Sequence, residues 1–140
     1  MFVESRDESR AFFHHVWRRM DAGEPLEPLE NLVAGVIRAH PEYHATLADP
    51  ASDRFDAGDP ASNPFLHMGL HIALAEQLQT DRPPGVRETY REVVERFAGR
   101  VHDAEHHMME LLGRELWRAS RDGVMPDAER YLSEVRRSIT

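Results

Sequence analysis

The chain has 140 residues, 41% of them hydrophobic and 30% charged, which suits one soluble globular domain over residues 1–140 with a core of its own. Seventeen basic residues stand against 25 acidic ones, and the net charge of −8 opposes adhesion to nucleic-acid phosphates or anionic lipid, so neither nucleic acid nor membrane is an expected partner. There is no cysteine, so disulfides and thiolate sites are excluded and any metal must be held by nitrogen and oxygen ligands.

The N-terminal MFVESRDESR mixes acids and bases where a leader would be basic and then apolar, and no stretch approaches about 18 apolar residues, so the expected compartment is the cytoplasm. Apolar residues recur with helical period between proline and glycine clusters, and nothing alternates as a half-buried strand would. The fold class is therefore all-α, a single helical bundle of about five to six helices.

A first helix near residues 5–21 carries Phe12, Phe13, Val16, Trp17 and Met20 on one stripe, with His14 and His15 at its edge and expected in solvent. Gly23 and Pro25 end it. A second helix from about Pro28 to Ala39 presents Leu29, Leu32, Val33, Val36 and Ile37, and its face continues into His40 before Pro41 breaks it. Proline suits the first turn of a new helix, so PEYHATL restarts as a short one carrying His44. Residues 49–62, DPASDRFDAGDPAS, are rich in turn formers and read as the longest loop of the chain, mobile and of functional interest.

Asn63 before Pro64 starts a helix to about Gln79, in which Leu74 and Leu78 lie within about 20° of the direction of His67, and His71 within about 40°, so both histidines face the core. DRPPG stops it at 81–85. A fourth helix buries Val86, Tyr90, Val93, Val94 and Phe97, and Gly99 marks its break. A fifth, from about Val101 to Ser120, sets Met109, Gly113 and Leu116 within about 40° of His102, with His106 at about 40°, Glu110 at about 80° and His107 turned outward. RDG ends it at 121–123, and Pro126 to Ile139 forms a last helix with Tyr131, Leu132 and Val135 inward.

Three pairs of histidines are spaced four residues apart: His40 and His44, His67 and His71, His102 and His106. On a helix that spacing puts both rings on one face, close enough to grip one ion. Nine histidines placed at random in 140 residues would give roughly 0.6 such pairs. Burying one unpaired polar group costs about 1–3 kcal/mol, and six would approach the whole stability of a domain. They must have partners, and a shared cation satisfies several imidazoles at once. Glu42, Asp103, Glu105 and Glu110 are the neighbouring acids that would serve in its place or beside it.

The reading is a mono- or dinuclear metal site in the core, with His67, His71, His102 and His106 as primary ligands and His40, His44 and Glu110 next. Imidazole with carboxylate suits a divalent transition metal, iron or zinc first, used for redox, oxygen-handling or hydrolytic chemistry. In such chemistry Glu110 or Glu105 would act as ligand or base and Tyr43 as proton donor. Haem between two histidines is a weaker candidate, since no CxxCH is present. A small-molecule ligand and self-association into a homo-oligomer both remain open.

HxxxH at 67–71 and HxxxHxxxE at 102–110 use hemerythrin's vocabulary in reversed order. His102 with Asp103 is the dipeptide of the HD phosphohydrolases, which would add His67 or His71 and Asp122 or Asp127. Three-histidine bundles of the DNA-damage-inducible type share only architecture, which carries no function by itself. The signatures HPEYH at 40–44, NPFLHMGLHIALAEQL at 63–78, DRPPGVRETY at 81–90 and AEHHMMELLGRELWRASRDGVMPD at 104–127 resemble a family of short bacterial proteins, domain of unknown function 1841, from Phe2 nearly to the end. The resemblance implies a helical fold and motif positions at His40, His44, His67, His71, His102, His106 and Glu110. It also implies a cysteine after that glutamate, where this chain has Leu111.

Two readings without a metal stand beside this one. The histidines could form a hydrogen-bonded, pH-sensing cluster that acidification loosens. Alternatively the domain is a protein-interaction module working through its acidic surface and the 49–62 loop, where Phe55 is the one aromatic.

Overall fold

The structure is a computed structural model that describes residues 6–49 and 63–140, with side chains from Arg10 onward. The expected loop at 49–62, with Phe55, lies outside the described residues apart from Asp49. Among the described residues every regular element is helical: α1 (Arg6–Asp21), α2 (Pro28–Arg38), a 3-10 turn (Pro41–Tyr43), α3 (His44–Ala48), α4 (Pro64–Thr80), α5 (Val86–Arg96), α6 (Val101–Asp122) and α7 (Ala128–Ser138). Seven α-helices exceed the expected five to six because the restart after Pro41 forms a 3-10 turn and then a helix of its own. The chain divides into two compact units, residues 1–72 and 73–140.

In the first unit, Phe13 and Val16 of α1, Val33, Ala34 and Ile37 of α2, Leu47 of α3, and Phe65, Met68 and Ile72 of α4 form one buried cluster. These positions recur at three- and four-residue intervals, so each helix turns one stripe inward. Pro28 opens α2 where a missing N–H costs nothing. Behind it the Glu30 carboxylate accepts the Glu27 amide at 2.8 Å and the His15 Nε2–H at 2.9 Å. The amide bond, with His15 and Arg19 adding to it, holds the Glu30 carboxyl below its ordinary range against the opposing effect of burial.

Two histidines expected at the solvent edge of α1 behave differently. His15 is half-buried on Glu30, whereas His14 is only 4% exposed. Its Nδ1–H donates to the Leu47 carbonyl at 2.7 Å and its ring packs 5.6 Å from Phe65. The edge of the α1 stripe is where α3 lies, so a residue that an isolated wheel exposes is covered.

In the second unit, α5, α6 and α7 pack on one another. Val86 and Val93 of α5, Met108, Leu112 and Ala119 of α6, and Tyr131, Leu132 and Val135 of α7 are among its buried side chains, with Leu74 from residues 73–80 of α4. The Tyr131 hydroxyl donates to Gln77 Oε1 at 3.1 Å, and burial pushes its pKa up. At the stop after α4, Arg87 donates Nε–H to the Leu78 carbonyl and Nη2–H to the Gln79 carbonyl, both at 2.6 Å, satisfying oxygens that the last helical turn leaves over. Gly123 ends α6 in the left-handed region at φ 66°, the conformation that favours glycine there.

The buried face of α6 includes Met109, as expected, and departs from the expected one elsewhere. Met108, Leu112, Glu115 and Ala119 are inward, while Leu116 is exposed. Glu115 is buried because it has work for both oxygens: Arg118 donates to them, and the Asp127 amide donates to Oε2 at 2.8 Å. Asp127 in turn accepts the Arg130 amide at 3.0 Å as the N-cap of α7. One carboxylate thereby ties α6 to the start of α7.

Two measurements check this account. Phe13→Ala, at a site with no solvent exposure, is expected to lower unfolding free energy in urea by about 3–5 kcal/mol. The Arg118 hydrogen bond, reinforced by the Asp127 amide, lowers the Glu115 pKa from its ordinary 4.5. A lowered folded pKa gives stability that is present above pH 4.5 and is lost as pH falls through the folded value. Glu115→Gln is therefore expected to unfold more readily than wild type near neutral pH, with the gap narrowing in melts at progressively lower pH.

Candidate metal centre

His40 follows the end of α2 in a non-helical conformation (φ −127°, ψ 65°), in keeping with the exclusion of helical angles before a proline. Its Nδ1–H donates to the Val36 carbonyl at 2.8 Å. A carbonyl only accepts, so this bond selects the tautomer in which Nε2 carries the lone pair, the arrangement usual for a metal-binding imidazole. The Tyr43 ring stacks parallel to it, 5.3 Å between centroids and 3° between planes. Burial, and then the charge of Glu42, raises the Tyr43 pKa, so its hydroxyl keeps its proton.

His67 and His71 are placed by the start of α4. Asn63 caps it, its Oδ1 accepting the amides of Phe65 and Leu66 at 3.1 and 3.2 Å, and Pro64 occupies the first turn. Met68 and Ile72, the next residue in each case and about 100° round the helix, anchor the same turns in the core. With the helix so fixed, His67 and His71 are half-buried and their rings lie 4.8 Å apart.

Three imidazoles converge in the first unit. The His40 ring is 5.1 Å from His67 and 4.7 Å from His71, both edge-on. One ligand nitrogen of each lies within 4.8 Å of the others, and the Nε2 atoms of His67 and His71 are 3.2 Å apart. Two nitrogens each about 2.0–2.1 Å from a tetrahedral ion would stand about 3.3 Å apart. Either that pair shares one proton, donated by one ring to the other, or both lone pairs address one cation.

The remaining candidates are placed as follows. His44 donates Nε2–H to the Ile37 carbonyl at 2.9 Å and packs 4.7 Å from Trp17, outside the group of three. In the second unit, His102 and His106 approach one another to 4.0 Å between ring centroids, His102 exposed and His106 half-buried. Neither is on the buried face of α6 that the wheel centred on His102 suggested. Glu110 is exposed in an ion pair with Arg114 at 2.9 Å. Glu105 accepts the Tyr90 hydroxyl at 3.0 Å; burial first, and this acceptor second, push the Tyr90 pKa up to about 12. His107 is half-buried beside Phe97, its Nε2 2.8 Å from Ser138 Oγ.

The aspartates of a phosphohydrolase are occupied elsewhere. Asp103 is exposed and pairs with Arg100 at 3.5 Å, Asp122 pairs with Arg118 and Arg121, and Asp127 caps α7. What sequence reasoning missed is the Val36 carbonyl that orients His40. The spacing of four residues between Val36 and His40 was its only trace.

Fold and site together define a protein whose described residues are all-helical, with a cluster of imidazoles whose donor chemistry suits a metal ion. The chain belongs to the family described as domain of unknown function DUF1841, whose model matches residues 5–137. No curated protein and no solved structure matches it. Among the described residues, no helix is long and apolar enough to cross a membrane.

The division of labour among the histidines is testable. His44→Ala leaves the Ile37 carbonyl without its donor and is expected to cost about 1–3 kcal/mol in chemical denaturation, with metal content unchanged.

Proposed function

We propose that this chain binds a divalent transition metal, iron or zinc, through His40, His67 and His71. The convergence of three imidazole nitrogens within 4.8 Å, one of them held in the ligating tautomer by Val36, carries this reading. Three nitrogen donors leave a tetrahedral or larger coordination shell incomplete. The HxxxH of α6, His102 and His106, is a separate imidazole pair within the second unit, proposed as metal-binding on its spacing and on the close approach of its own two rings. His44 and Glu110 are assigned structural and surface roles by the partners they hold. A nitrogen-ligated metal with an open position acts as a Lewis acid or a redox centre, so hydrolytic, redox and oxygen-handling uses follow from the donor set alone.

The test is elemental analysis of protein purified without an affinity tag, on wild type and on the His67→Ala/His71→Ala double variant. Wild type is expected to hold about one ion per chain and the double variant to lose at least about nine-tenths of it. Chelation is expected to lower the melting temperature of wild type only, because a ligand at 100 times its Kd adds about 2.7 kcal/mol to stability. An ultraviolet-visible spectrum separates iron, which absorbs when oxo-bridged or bound in haem, from zinc, which does not.

The 3.2 Å contact between His67 and His71 also supports a second reading, a hydrogen-bonded pair that senses pH. Metal-free wild type, indifferent to chelator but losing stability on acidification as like charges are set side by side, would establish it in place of the first.

A further inference from the structure

The three imidazoles that converge in the first unit are neutral donors, and among the described residues no carboxylate oxygen joins their nitrogens in a group within 4.8 Å. Glu30, the buried carboxylate described in this unit, is committed to His15, Arg19 and the Glu27 amide. A divalent ion held by His40, His67 and His71 would therefore keep its full double charge, with His40 buried and the other two rings half-buried around it. Charge withdrawn from water needs a counter-charge close by. The protein donors supply none, so it has to come from a ligand at the position that three nitrogens leave open.

A hydroxyl gives a second, independent observation. Tyr90 donates to Glu105 and Tyr131 to Gln77, whereas the Tyr43 hydroxyl has no hydrogen-bond partner among the described residues. The Tyr43 ring packs against the core cluster, parallel to His40 at 5.3 Å and edge-on to His67 at 6.2 Å between centroids. A donor whose ring is fixed beside two of the three imidazoles is preorganised for an acceptor bound among them. The charge of that acceptor is bounded as well. Glu42, next in the chain and exposed, and the net charge of −8 both select against anions of higher charge and favour a monoanion.

We propose that the position left open by His40, His67 and His71 takes a small carboxylate anion, with one oxygen on the metal and the other accepting the Tyr43 O–H. A carboxylate meets both demands at once: its single charge offsets half that of the ion, and its second oxygen is a charged acceptor for the phenol. This inference rests on the metal reading and names the class of ligand that the site takes.

The test uses the full chain loaded with cobalt(II), whose visible bands report the coordination shell, and acetate as the probe. Acetate is expected to shift the cobalt bands and to saturate at one per ion. Tyr43→Phe keeps the ring contacts, so cobalt content and thermal melts are expected to match wild type, while acetate affinity falls at least about tenfold with the loss of a hydrogen bond to a charged group. Imidazole, neutral and without an acceptor to offer the hydroxyl once bound, is expected to bind wild type and variant equally. Three results would each overturn the inference and leave the metal reading standing: cobalt bands that ignore acetate, equal acetate affinity in wild type and Tyr43→Phe, or acetate and imidazole weakened alike. Protein that takes up no cobalt would remove the metal reading and this inference with it.

Discussion

An imidazole inside a protein must satisfy two ring nitrogens, and how this chain meets that demand separates its structural histidines from its candidate ligands. His14 donates to Leu47, His44 to Ile37, His15 to Glu30, and His107 meets Ser138. Each of these contacts bridges two elements and works as a tether; for His14, which is buried, a donor left without an acceptor would cost about 1–3 kcal/mol. His40 instead spends one nitrogen within its own helix end, on Val36, and turns its ring toward His67 and His71, whose Nε2 atoms already face each other. Rings that crowd one another with basic nitrogens inward either pass a proton between them or gather around a cation.

The fold supplies that arrangement with ordinary means. Proline after His40 ends α2 and fixes the turn, and asparagine before Pro64 starts α4 with its amides capped. On α2 and α4 themselves, Ile37, Met68 and Ile72 have no exposure to solvent, so the helices that carry the three imidazoles are held by packing and need no contribution from an ion. Such preorganisation lowers the ordering cost of binding.

Much of this was legible in the residues. Proline and glycine punctuation located the ends of the helices to within a residue or two, because those two residue types act on the local backbone whatever surrounds them. The convergence of His67 and His71 followed from helical spacing in the same way. Positions set by tertiary cover were not legible. His14 sits at the border of the α1 stripe, and only the presence of α3 decides that it is buried. In α6, apolar residues at 108, 109, 111, 112, 116 and 117 cover so much of the circumference that the wheel does not choose a face, and the polar Glu115 proved to be more buried than Leu116. The role of His44 was hidden for a related reason: its distance from His40 in sequence matches a ligand pair, but the break at Pro41 gives it another direction.

The most direct test of the central claim reads the ring nitrogens themselves. In long-range proton–nitrogen correlation spectra of uniformly ¹⁵N-labelled protein, recorded before and after one equivalent of zinc, the Nε2 signals of His40, His67 and His71 are expected to move to metal-bound positions while His40 Nδ1 stays protonated on Val36. Unchanged ring-nitrogen signals for all three histidines at that loading would contradict the account.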